Sequence, residues 1–286
     1  MLHDLREPRV LAALERLQLR TRRRLAGQLA GSHRSLRYGS SLDFADFREY
    51  QPGDDFRRID HLALARFDQL LIRLYDAEDD LTIRLVVDTS ASMSVDSKLQ
   101  RAAELAGALG FVALTRRDRV EVHVPGEAPL RLAGRSSIGE LFGRLEGLTA
   151  TGVGSLSRTS TEVVTRQRGP GMTVVLSDLL EPVWEEALTR FPARGSELSV
   201  MHILGSSELD PPELGDVELV DIETGEEVPQ TLAAGYFAEY QSRLHEWLEG
   251  VERACRRLGA GYSLVDARDP LGDVLLGGLR RSEVVQ

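Results

Sequence analysis

Two carboxylates that each close an apolar run, with two hydroxyls beside the first, are the residues of this chain best suited to chemistry. The first group is Asp88-x-Ser90-x-Ser92, which follows Leu85-Val86-Val87 and precedes an amphipathic pattern. The second is Asp178, at the end of Val174-Val175-Leu176-Ser177-Asp178. A carboxylate and hydroxyls at alternate positions after a buried strand can turn hard oxygen ligands into one pocket. Mg²⁺ requires such donors, and Mn²⁺ or Ca²⁺ accepts them. The spacing predicts octahedral oxygen ligation, with the Ser90 and Ser92 hydroxyls bound directly. Asp88 and Asp178 would act directly or through water, because Mg²⁺ dehydrates reluctantly. The plainer reading of Asp88-x-Ser90-x-Ser92 alone is helix-start chemistry, since Asp and Ser are favoured caps. The second carboxylate at a second strand end shifts the balance to a metal site.

The elements that must position these groups follow from periodicity. Residues 8–30 read as an amphipathic helix with an arginine face at Arg16, Arg20, Arg22, Arg23 and Arg24. Residues 31–68 are polar and punctuated, with a turn at Pro52-Gly53-Asp54. Segments 69–75 and 81–87 read as two strands of a hairpin feeding the main sheet. Strands and helices then alternate: helix 98–115, strand 119–124, a short strand at 130–132, helix 138–148, a loop at 149–155 and a weak helix at 157–168. Beyond these come strand 172–176, helix 184–191, strand 198–204, an acidic hairpin within 208–230, helix 238–258, strand 262–265 and a short helix at 271–280. This order predicts an α/β fold with a mainly parallel, doubly wound sheet covered on both faces. The expected divisions are an N-terminal helix at 1–30, a segment at 31–80 packed on the main domain, and that domain at 81–286. Ligands of such sheets sit at the carboxyl ends of the strands, where Asp88 and Asp178 both fall.

Composition narrows the classes. With a formal charge of −10 and 42% hydrophobic residues, the chain has ample core and no global nucleic-acid footprint. The basic residues are arginines except for Lys98. The single cysteine, Cys255, lies in a helical pattern and reads as a buried small hydrophobe. No cysteine cluster for zinc or iron–sulfur, no apolar run of membrane-span length and no signal core are read, so a cytoplasmic protein without membrane contact is expected. Enzyme signatures are lacking too: neither a phosphate-binding Gly-x-x-x-x-Gly-Lys loop nor a Gly-x-Ser-x-Gly elbow occurs.

At this point the residues resemble known families. The 82–205 region is similar to a von Willebrand factor A-like domain, whose metal-ion-dependent adhesion site joins an Asp-x-Ser-x-Ser loop, a Thr from a second loop and an Asp from a third. Upstream, Phe44-x-x-Phe47-Arg48-x-Tyr50-x-Pro52-Gly53-Asp54-Asp55-x-Arg57-x-Ile59-Asp60, followed by Ala65-Arg66, resembles the signature of a bacterial family catalogued as domain of unknown function fifty-eight. That family joins this signature to the adhesion-type domain. Two departures stand out. His61 follows Ile59-Asp60 where the pattern has Trp, and Gly152-Val153-Gly154-Ser155-Leu156 replaces the usual Gly-Gly-Thr-Asp-Leu. Gly154 thus stands where the ligand Thr is expected, and Ser155, Thr151 or a water would have to serve.

The resemblance implies a non-enzymatic, metal-dependent interaction module. A cation at Asp88, Ser90, Ser92 and Asp178, with Ser155 as a further candidate, would receive a carboxylate from a protein partner. Such proteins are commonly encoded beside MoxR-type AAA+ ATPases, which makes such an ATPase the expected partner in chaperone-like assembly. Arg48, Tyr50, Asp54, Arg57, Asp60 and Arg66 read as a structural network, since arginine pairs carboxylates in bidentate fashion, or as a partner-contact surface. His33 and His61 read as ordinary polar residues. The alternatives are a metal-dependent phosphoester hydrolase, which would need a general base near a metal-bound water, and a scaffold with a degenerate metal site.

Overall fold

The computed structural model describes residues 2, 5, 8–15, 44–51, 59–67, 69–75, 81–150, 152, 155–169, 171–211, 215–222, 225–232 and 235–275. In chain order these form α1 (Pro8–Leu14), β1 (Phe44–Glu49), α2 (His61–Phe67), β2 (Leu71–Tyr75), β3 (Thr82–Val87), α3 (Lys98–Thr115), β4 (Arg119–His123), β5 (Leu130–Ala133), α4 (Ile138–Glu146) and α5 (Leu156–Arg166). They continue with β6 (Gly171–Ser177), α6 (Trp184–Arg190), β7 (Glu197–Leu204), α7 (Ser206–Leu209), β8 (Gly215–Val220), β9 (Glu227–Leu232), α8 (Tyr236–Arg257), β10 (Gly261–Asp266) and a short helix, Leu271–Asp273. The chain divides into two compact units, Met1–Leu25 with Leu81–Gln286, and Ala26–Asp80.

The larger unit is built on a six-stranded sheet of order β10-β7-β6-β3-β4-β5. All pairings are parallel except that of β5, which returns antiparallel to β4 through a short connection. The expected α/β class and mostly parallel sheet are therefore present. Side-chain alternation explains why both faces are covered. Ile83, Leu85 and Val87 of β3, with Val174 and Leu176 of β6, face a core shared with α3. Val86 and Val175 face the opposite core, with Leu156 and Val163 of α5, Leu188 of α6 and Val251 and Cys255 of α8. Helix α3 is apolar nearly all round because α1 and α4 pack on it as well as the sheet. Cys255 is buried, and burial pushes its thiol up to about 11, so it behaves as the small hydrophobe expected.

From β3 the chain moves outward to β4 and β5, then crosses back to place β6 on the other side of β3. The crevice beyond the carboxyl ends of β3 and β6 is therefore a topological switch point, the place where loops part and leave room for a ligand.

The smaller unit corrects the expected hairpin. β2 does not pair with β3; it pairs antiparallel with β1 in a separate two-stranded sheet. The acidic stretch between β2 and β3 resembles a hairpin turn in sequence, but the partner of β2 lies upstream in a segment read as polar. The arginine-rich half of the expected 8–30 helix lies outside the described residues. Helix α1 itself ends at Leu14. The expected 208–230 hairpin is present as β8 and β9, joined near Gly225, whose φ of +74° suits a residue without Cβ. Among the described residues no helix is long and apolar enough to cross a membrane.

Candidate functional site

The site grows out of the register of the two central strands. Val87 lies opposite Leu176, and the ladder extends one step further, the Asp88 amide donating to the Leu176 carbonyl at 3.0 Å. Both strands leave the sheet there, and the two expected carboxylates come close enough for the charge of Asp178 to act on Asp88. Asp88 is 9% exposed and Asp178 1%. The Ser177 hydroxyl donates to Asp88 Oδ2 at 2.6 Å, and the Ser90 amide donates to Asp88 Oδ1 at 2.9 Å. Burial pushes the Asp88 carboxyl above its ordinary range. The bond from Ser177 opposes this shift, and the nearby negative charge of Asp178 adds to it.

The two expected hydroxyls join the same pocket. Ser90 Oγ and Ser92 Oγ are 3.0 Å apart, and both residues are buried. Their loop is anchored by Met93, whose side chain is fully buried in the core. Ser90 also forms a parallel bridge with Gly152, which brings the second loop beside the Asp-x-Ser-x-Ser loop. Thr151 and Gly154 lie outside the described residues. Ser155 has another task. It caps α5, its hydroxyl accepting from the Arg158 amide at 3.1 Å and donating to Glu181 Oε1 at 3.3 Å. Glu181 also accepts from the Leu156 amide at 2.6 Å. A cap of this kind stabilises a helix by about 1 kcal/mol.

Asp178 is held from three sides. Its Oδ1 accepts from the Leu180 amide at 3.3 Å, and its Oδ2 accepts from Lys98 Nζ at 2.7 Å. Its carbonyl faces His202 Nε2 at 3.0 Å. That contact requires Nε2 to carry the proton, so Nδ1 accepts from the Tyr262 hydroxyl, also at 3.0 Å. Burial keeps His202 neutral, lowering it to about 4. The edge of Trp247 closes the packing, its ring centroid 4.8 Å from that of His202.

Sequence reasoning passed over Lys98 and Glu208. Lys98, the first residue of α3, is fully buried and pairs with Glu208 as well as Asp178. Glu208 sits in the turn after β7 and also accepts from the Gly205 amide at 2.7 Å. The adjacent Ser207 donates from both amide and hydroxyl to Asp96 Oδ2, each at 2.6 Å. Asp96 and Ser97 both have positive φ, 51° and 61°, an uncommon conformation that these contacts hold in place. Gly205 permits the approach, because an added Cβ would lie 2.5 Å from the Asp96 Cβ. The signal for Lys98 was a lone lysine opening a largely apolar helix. Glu208 gave no signal, since only the sheet order brings its loop near.

In the smaller unit, Asp60, Tyr50 and Arg48 of the signature make local contacts. Asp60 is 5% exposed and caps α2, its Oδ1 accepting from the Ala63 amide at 3.1 Å. The Tyr50 amide donates to the Leu70 carbonyl at 2.8 Å, and Arg48 lies opposite Ile72 in the β1–β2 ladder. Arg66 and His61 are exposed. Asp54, Arg57 and His33 lie outside the described residues. Among the described residues no group of three or more His, Cys, Asp or Glu side chains is placed to hold a metal. The pocket at Asp88 relies on hydroxyls as well as carboxylates.

Comparison with known proteins gives the following. The family described as "Protein of unknown function DUF58" matches residues 46–243. Uncharacterized proteins of Mycobacterium bovis and Mycobacterium tuberculosis are each 30% identical over 285 residues, covering 95% of this chain and 90% of the relative. Among solved structures, a conserved hypothetical protein, BatB, from Bacteroides thetaiotaomicron covers 63% of this chain and 98% of its own at 13% identity, with a TM-score of 0.35. An aerotolerance-related membrane protein from Bacteroides fragilis covers 71% and 98% at 13% identity, with a TM-score of 0.40.

Proposed function

The chain belongs to the DUF58 family, and from that premise we propose that the edge beyond β3 and β6 is a metal-dependent docking site for a carboxylate of a partner protein. The observation that carries this reading is the convergence of Asp88, Ser90, Ser92 and Asp178 at one switch point with too little positive charge to balance them. Asp178 and Glu208 share the single ammonium of Lys98, while the buried Asp88 is held by the Ser177 hydroxyl and the Ser90 amide and feels the negative charge of Asp178. The donors are all oxygen, the type a small hard dication prefers. An Asp88 carboxyl made costly by burial is the group such a charge would relieve. The residues therefore fit Mg²⁺, with Mn²⁺ and Ca²⁺ as alternatives, in the manner of a von Willebrand factor A-like adhesion site.

A bound Mg²⁺ would supply a Lewis-acidic position for a partner's Glu or Asp. The chain's own residues do the rest. Ser177 and the Ser90 amide fix the Asp88 carboxylate, and Met93 anchors the loop that presents the hydroxyls. His202 clamps the Asp178 main chain. Leu180 and Val183, 49% and 42% exposed, give the rim an apolar surface suited to a protein rather than a small polar substrate. Binding without catalysis is favoured because His202, the histidine against Asp178, has both ring nitrogens engaged and serves poorly as a base.

The partner we propose is a MoxR-type AAA+ ATPase acting with this chain in chaperone-like assembly in the cytoplasm, a reading supported by the signature resemblance. The test uses the metal-stripped chain and a purified MoxR-type AAA+ ATPase. Calorimetry is expected to show Mg²⁺ binding to the parent and none to Asp88→Ala. Capture of the ATPase is expected to weaken at least tenfold on chelation or in Asp88→Ala. Equal capture in all cases overturns the metal bridge.

A further inference from the structure

Lys98 is a long cation with no solvent exposure, in a chain whose other basic residues besides histidine are all arginine. A buried ammonium is costly unless paired, and this one is paired with carboxylates from two different loops. Asp178 follows β6, and Glu208 follows β7. Among the described residues the hydrogen-bond partners of Lys98 are these two acids, so it approaches Asp178 from the Glu208 side. Neither Asp88 nor the serine hydroxyls are among those partners.

We propose that Lys98 is a positioning residue of the docking site. It holds Asp178 Oδ2, so that the carboxylate is already oriented beside Asp88 before any cation arrives, and Glu208 holds Lys98 in turn. The inference rests on the metal reading above and deepens it by adding a fourth loop to the site. The Gly205–Leu209 turn becomes part of the machinery, pinned at two points, Lys98–Glu208 and Asp96–Ser207, to the segment that joins the Asp-x-Ser-x-Ser loop to α3. It is pinned to α8 as well, because the Tyr240 hydroxyl donates to the Glu208 carbonyl at 2.7 Å and Gln241 Nε2 donates to the Leu209 carbonyl at 3.2 Å. A lysine that merely neutralised Glu208 would not need to engage Asp178, and one that merely plugged the pocket would be expected to bond Asp88 or the hydroxyls.

The experiment is a calorimetric Mg²⁺ titration of the metal-stripped full chain, with thermal melts alongside. It compares the parent, Lys98→Met, Glu208→Gln and the double variant Lys98→Met/Glu208→Gln. The double variant removes one positive and one negative charge together, which keeps the local net charge and gives a better chance of folding. The expected result is Mg²⁺ affinity lowered at least tenfold in the double variant and in Lys98→Met where it folds, while Glu208→Gln stays within threefold of the parent. A double variant that binds within threefold of the parent overturns the inference alone, since Lys98 would then be a structural counter-ion visible only in the melting temperature. Equal losses in Glu208→Gln and the double variant also overturn it, because the lost acidic charge would suffice. A parent that takes up no Mg²⁺ overturns the metal reading and this inference with it.

Discussion

Two ionic clusters are built on strands of the same sheet, and they are balanced in opposite directions. Around Glu121 of β4, one carboxylate meets three basic groups. Arg131 Nε lies 3.0 Å from it, His123 Nε2 3.2 Å and Arg84 Nε 3.6 Å. The hydrogen bond from His123, then that from Arg131, and the charges of His123 and Arg84 lower Glu121 to about 2. At the carboxyl edge the ratio inverts, with two carboxylates on one ammonium and burial driving the neighbouring Asp88 upward. The first cluster is closed: every charge it needs is covalently part of the chain. The second is short of positive charge and sits at a switch point. A fold that supplies surplus cations to one carboxylate in mid-sheet, yet leaves its edge acids undersupplied, has room for an external cation at the edge.

The comparison breaks most visibly by removing the cation from each cluster. Lys98→Met leaves Asp178 and Glu208 without their partner and is expected to destabilise the metal-free protein by about 3–5 kcal/mol, the usual loss when one member of a buried pair goes. Chemical denaturation at neutral pH measures it. A loss below about 1 kcal/mol would make the edge acids as self-sufficient as Glu121. The next effect sharpens the contrast. Mg²⁺ at a hundredfold excess over its Kd should stabilise the parent by about 2.7 kcal/mol, and Asp88→Asn should erase that gain. Asp88→Asn should also leave the metal-free protein at least as stable as the parent, because it removes a carboxylate that burial disfavours and keeps an acceptor for the Ser90 amide. Melts with and without Mg²⁺ decide both points. A clear loss of metal-free stability in Asp88→Asn would mean that its charge is already satisfied within the chain.

How much of this was legible depends on whether the signal is local. The α3 limits follow from an uninterrupted apolar pattern, and Asp88 and Asp178 were visible because each ends a hydrophobic strand. Their meeting required only that β3 and β6 be neighbours, which the βα alternation makes plausible. β1 was missed because Phe44–Glu49 carries Asp46, Arg48 and Glu49, a polarity that reads as loop unless its partner strand is known. That omission misassigned β2, since a strand without a visible partner was given the nearest one. Ser155 carries a second signal of the same kind, since a Ser at a helix start is also a cap, and here its hydroxyl accepts from the Arg158 amide. Lys98 and Glu208 meet across 110 residues, and no pattern within either segment encodes that contact.

The closed cluster supplies the smaller effects, beginning with pH. Glu121 falls from an ordinary 4.5 to about 2 in the folded chain. A carboxyl depressed by folding stabilises the native state above its unfolded value, and that contribution disappears as pH falls from 4.5 through 2. Glu121→Gln is therefore expected to cost about 1–2 kcal/mol at pH 7, after allowance for partial solvent screening. The gap from the parent should narrow toward zero near pH 2, where the parent's own carboxyl is protonated. A gap independent of pH would mean that the side chain contributes shape, not charge.

Arg131→Met should be the smallest change, below about 1 kcal/mol, because this guanidinium is 51% exposed and an exposed ion pair is worth little. His123 and Arg84 stay behind to serve the same carboxylate, so the cluster loses one of three basic partners and remains closed. Lys98 has no such understudy among the described residues. A ratio of the Lys98→Met loss to the Arg131→Met loss near unity would remove the distinction between the two clusters. With it would go the reason for placing an external cation at the edge of this sheet.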